Sequence, residues 1–171
     1  MQVTVTAKDT LTADLLRTAR GMSAEKRREA MDAVGLGLVS MAKRAFNTDT
    51  SLRPAPWVAK KDGSPSTLQK STRLRNSIKH GATADTASVF SDAKYAAIHQ
   101  LGGQTKAHII RPKFKKALAF GGGVFAMVRH PGSTIPARPY FPFHATGLPT
   151  EKADRMCRSV LTKKLFPADR A

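Results

Sequence analysis

The chain has one cysteine in 171 residues, Cys157, so no intramolecular disulfide can staple it. Cys157 lies among Arg155, Met156 and Arg158 in a predicted helix, where it reads as an ordinary small residue. Aromatic residues make up only 6%. No apolar run approaches the roughly 18–20 residues of a membrane span. The opening MQVTVTAKDT lacks the charged-then-apolar layout of a signal peptide. These absences predict a soluble protein made in the cytosol, with one core and no membrane partner.

Carboxylates are the most telling scarcity. None occurs between Asp92 and Glu151, whereas Lys94, Lys106, Arg111, Lys113, Lys115, Lys116, Arg129 and Arg138 lie inside that stretch. The formal charge is +17. Such a balance suits a polyanion or an acidic protein surface. A solvated basic face is the plainer alternative.

Known chemistry is also missing. Neither G-x-x-x-x-G-K-[ST] nor a strand-led G-x-G-x-x-G occurs. Gly121–Gly123 is followed by the strand-like VFAMV, so no helix start is there to receive a phosphate. His80, His99, His108, His130 and His144 show no i, i+3 or i+4 pair. With one cysteine they make no structural zinc cluster. His99, in YAAIHQ, is the most site-like of them, but a hydrogen-bonded structural histidine is the favoured reading. No G-x-S-x-G elbow is present. The expectation is a non-enzyme with no catalytic residue, metal, cofactor or small-molecule substrate. For nucleic acid, no zinc finger, helix-turn-helix or RNA-binding signature stands out. Stacking aromatics do not look interleaved with the cations.

What is present predicts an α+β single domain: a mostly antiparallel sheet flanked by a long N-terminal helix and a C-terminal helix. QVTVTAKD alternates as a short strand or extended arm. Asp9 or Thr10 caps a helix over Leu11–Arg20, broken by Gly21. Ser23 caps a second helix with Glu25 in its first turn, running to about Phe46. Met31, Val34, Leu38, Met41 and Ala45 form its apolar stripe. Gly35 and Gly37, inside that helix, predict close packing on a strand or on a second subunit.

Residues 47–70 form a long mobile loop with three prolines. Trp57, the only tryptophan, either pins this loop to the core or anchors a partner. RLRNSIKHGAT and ASVFSD flank TADT as a hairpin. AKYAAIHQLGG is a short helix closed by Gly102. In KALAFGGGVFAMV a three-residue turn would pair Phe120 with Val124 and Leu118 with Ala126. Ala117, Ala119, Phe125 and Met127 would then line the other face. A hairpin apolar on both faces needs cover on both. Residues 130–149 form a proline-rich extended arm, and Thr150 caps a last helix to about Leu165, stopped by Pro167.

Four segments in order carry a family resemblance: LRNSI at 74–78, YAAIHQLGG at 95–103, IIRPKFKKALAF at 109–120 and HPGSTIPARPYF at 130–141. Together they resemble the virion-morphogenesis or tail-completion proteins of tailed phages, especially Mu-like ones. The likeness covers roughly residues 23–165. It departs at Ser71 and Thr72, where many relatives show "TG", and at Tyr140, where phenylalanine is common.

The resemblance implies a structural virion protein of the tail or neck, assembling as a ring, commonly a hexamer. That ring would finish the tail tube or connect it to neck proteins. The interface residues expected are Trp57, Arg111, Lys113, Lys115, Lys116, Phe125, Met127, Arg138 and Tyr140. Sequence-independent DNA binding through the basic surface is the competing expectation.

Overall fold

The computed structural model describes residues 3–5, 17, 21–47, 50–60, 62–114 and 116–166. The helix expected over Leu11–Arg20 lies outside the described residues except at Arg17, as do Lys115 and Pro167.

Helix α1, Ala24–Asn47, is the backbone of the core. Ser23 caps it: its Oγ accepts from the Lys26 amide at 3.3 Å, and Glu25 sits in the first turn. The buried stripe contains the expected Met31, Val34, Leu38, Met41 and Ala45, joined by Ala30, Ala42 and Phe46.

The main sheet is antiparallel in the order β1-β3-β2. It contains β1 (Val3–Val5), β2 (Ile78–Ala82) and β3 (Ala87–Ser91). Thr83 and Thr86 close the β2–β3 turn through a 2.7 Å hydroxyl pair. The expected hairpin is therefore present, but LRN does not lead it as strand. Arg73–Asn76 forms one helical turn, α2, and buries Leu74. The turn follows Thr72, whose φ of 53° is left-handed.

Helix α1 packs against β2 and β3 on one side and against the last helix, α4 (Glu151–Leu165), on another. Two residues along a helix are about 200° apart, and Gly35 and Gly37 use that angle. A Cβ on Gly35 would lie 2.6 Å from the His80 ring of β2; one on Gly37 would lie 2.5 Å from the Met156 sulfur of α4. The glycines thus admit a strand and a helix of the same chain.

The consequences differ. Met156 presses with the end of a flexible side chain, and alanine favours helix by about 1 kcal/mol over glycine. Gly37→Ala is therefore expected to leave thermal stability within about 1 kcal/mol of the parent. Gly35→Ala meets the His80 ring near its root and disturbs the 2.9 Å His80–Asp32 bond. It is expected to cost about 1–3 kcal/mol in urea unfolding.

Thr150 caps α4, its hydroxyl accepting from the Ala153 amide, and Leu161 and Leu165 close the core from that side. A third helix, α3 (Ala96–Leu101), follows the sheet and ends at Gly102, φ 73°.

Beyond α3 the chain builds a two-stranded antiparallel ribbon in three segments. β4 (Gly103–Gln104) pairs with β9 (Thr134–Ile135), and β5 (His108–Ile110) with β8 (Val128–His130). β6 (Leu118–Phe120) pairs with β7 (Gly123–Phe125). The turn is shorter than the three residues expected. Gly121 and Gly122, φ 56° and 78°, make a two-residue loop that pairs Phe120 with Gly123 and Leu118 with Phe125. Two successive positive φ angles suit the tight turn whose twist matches a hairpin. The one-residue change reverses the expected face of Phe125, bringing its ring to 5.0 Å from Phe120.

Candidate interaction surface

Among the described residues no helix covers the ribbon, and strands β5 to β8 make their substantial contacts only with one another. Ile109, Ile110, Phe120, Val124, Phe125 and Met127 are all exposed, Val124 to 75%. Between β5 and β6 the outgoing strand carries residues 111–117, opposite only 126 and 127 on the return. That surplus segment, RPKFKKA, leaves the ladder. At its crest Phe114 is 98% exposed.

Of the expected contact residues, Arg111, Lys113, Lys116, Phe125 and Met127 gather here, all exposed. None of the three cations has an ion-pair partner among the described residues. Lys115 lies outside the described residues. Phe114 was missed. The signal was readable as K-F-K-K: an aromatic is interleaved with the cations after all.

The other three expected residues belong to the body. Trp57 is half-buried, edge-on to Phe46 at 5.6 Å. Its Nε1 donates to Pro139 O at 2.7 Å, and the Arg53 guanidinium lies 3.8 Å from its ring centre. Of the two roles open to Trp57, pinning is the one the geometry displays. Arg138 is buried, donating through Nε to Val58 O at 3.0 Å. Tyr140 is wholly buried between Phe46 and Phe141 and offers no surface. The segment expected to be a reaching arm is thus half core: Tyr140 to Phe143 pack inside, and only 130–137 borders the ribbon.

Gln100 organises this inversion, and sequence reasoning passed over it. Its buried Oε1 accepts from the amides of Tyr140 and Phe141, at 3.0 and 3.2 Å. Extended backbone buried in a core needs such an acceptor. The Arg138 amide, in turn, donates to His99 O at 2.7 Å.

His99 itself stands at a 610 Å3 recess with Lys60, Ser71, Tyr95 and Arg138. Burial, and then the Arg138 charge, holds its pKa below the ordinary histidine value, which favours the neutral ring. No carboxylate lines the recess among the described residues. Among the described residues no group of His, Cys, Asp and Glu is placed to hold a metal. No helix there is long and apolar enough to cross a membrane.

Burial raises the Tyr140 phenol well above its usual pKa. A phenol raised in the folded state contributes stability below the unfolded value near 10 that is lost as pH rises past it. Alkaline unfolding is expected to be steeper for the parent than for Tyr140→Phe, measured as urea midpoints between pH 8 and 11.

The model of the phage virion morphogenesis family matches residues 5–165. The chain belongs to that family. The match takes in helices α1 to α4, strands β2 and β3 and the whole ribbon. No curated protein and no solved structure matches the chain. Membership supports a structural role in assembling a phage virion. It places the exposed ribbon on a virion assembly protein.

Proposed function

We propose that this phage virion morphogenesis protein forms a ring, with a hexamer favoured, that completes the tail or joins it to the head. The single observation that carries the reading is the ribbon, apolar on both faces and covered on neither among the described residues. An isolated two-stranded hairpin is at best marginal in water. Exposed apolar patches of this kind mark protein contacts. Native mass spectrometry and negative-stain microscopy, alone and with the tail-tube and neck proteins of the same phage, test it. Rings are the expected result. A strict monomer that binds none of those proteins sinks the proposal.

One observation favours a second reading, non-specific contact with DNA: the unpaired cations beside Phe114. Duplex affinity would then fall steeply with salt, and charge reversal at Lys113 and Lys116 would reduce both affinity and slope. No binding in low salt removes this reading.

A further inference from the structure

The ribbon has an apolar counterpart in the same chain. Pro54, Ala55, Leu101, Ala137, Pro139 and Phe143 line a hollow of about 380 Å3 where the 50s loop meets the end of α3. No lysine, arginine or carboxylate lines it. Gln100 and His144 are its polar lining, so an apolar side chain seated there desolvates no lysine, arginine or carboxylate, a costly step when no partner is supplied.

The paired rings of Phe120 and Phe125, tilted by 30°, suit it. They share one face of the hairpin, 5.0 Å apart, and both are exposed. A cavity of about 150 Å3 accepts one benzene, so this hollow has room for two rings. The hairpin cannot reach it at home. Leu101, on the rim, is two residues before the ribbon starts, whereas Phe120 and Phe125 flank the far turn. At about 3.3 Å per residue, the return strand to Ile135 is up to roughly 40 Å long.

We infer that the Phe120–Phe125 pair of one subunit seats in the Pro54–Leu101–Phe143 hollow of a second copy. The inference rests on the ring reading and specifies its contact. Phe120 and Phe125 are 54% and 42% exposed, so seating the pair covers roughly half of the about 150–250 Å2 each ring carries. The exposed Ile109, Ile110, Val124 and Met127 extend the apolar contact toward the ~800 Å2 per partner of a stable interface. Knob and hollow are different patches, so the contact runs head to tail, which makes a ring where the rotation between copies closes and an open filament where it does not. The cations at Arg111, Lys113 and Lys116 belong to the surplus segment, outside the paired strands that carry the knob.

Complementary variants test it. Phe120→Asp/Phe125→Asp removes the knob; Leu101→Glu/Ala145→Trp charges and plugs the hollow. All four positions are exposed, so circular dichroism and thermal melting should match the parent. Native mass spectrometry, with and without the tail-tube protein, should show rings for the parent and monomers for either variant alone. Mixed, the two variants retain one good knob and one good hollow, and should give a 1:1 dimer that grows no further.

Rings persisting in the knob variant overturn this contact and leave the ring reading standing. Loss in the knob variant with rings intact in the hollow variant also overturns it, since the ribbon then docks elsewhere. A mixture that stays monomeric overturns the head-to-tail pairing. A parent that never assembles removes both readings.

Discussion

Gln100→Ala is expected to lower stability by about 2–6 kcal/mol, enough to unfold a marginal domain. The side chain is only 7% exposed, and its one oxygen serves two buried amides, those of Tyr140 and Phe141. Each orphaned buried N–H costs about 1–3 kcal/mol. Gln100→Met separates this from packing, since methionine fills similar space without an acceptor. Both variants should lose most of the stability in urea unfolding at pH 7. A Gln100→Met protein within 1 kcal/mol of the parent would mean that the two amides find another acceptor.

Gly132→Ala should act on the ribbon and spare the body. Gly132 holds φ 98°, and a Cβ there would lie against Thr105 O, a backbone atom with little freedom to move. Around it, Thr105 N donates to Ser133 O at 2.9 Å and Ser133 N to Thr105 Oγ1 at 2.7 Å, joining the first two segments of the ribbon. A left-handed alanine alone costs about 1–2 kcal/mol, and the clash adds to it. Amide protection of His108–Ile110 and Val128–His130 is expected to fall about 30-fold or more, equivalent to ~2 kcal/mol of local opening. Protection in α1 should change little. Equal loss throughout would show that ribbon and body unfold as one unit.

The sequence made the helices legible because their signals are local. Ser23 with Glu25 and Thr150 with Glu151 mark starts by capping chemistry, and the stripe from Met31 to Ala45 follows the helical repeat. The β2–β3 hairpin was legible from two strand-like runs around TADT. Ribbon register was not. Three consecutive glycines allow two-residue and three-residue turns alike, and the choice falls to backbone twist.

The 130–149 segment misled for another reason. Its prolines correctly forecast extended backbone, but an extended chain fits a core as well as a surface if its amides find acceptors. The acceptor is Gln100, some forty residues away, and pattern alone does not join the two. Of the expected contact residues, those on the ribbon remain at the surface. Arg138 and Tyr140 are engaged inside for want of that one distant fact.

The pairing of α1 with α4 has a consequence in time. Residues near 24–47 leave the ribosome early, yet their apolar stripe is completed by Tyr140 and Phe141 and by Leu161 and Leu165. Contacts so far apart in sequence are slow to form, because a long loop must close first. The first long helix therefore waits, incompletely covered, until α4 has been synthesised. The ribbon's strands lie close together in sequence and are made before α4. A nascent chain of this protein therefore exposes the stripe of α1 and the ribbon together, and is most prone to premature association in that interval.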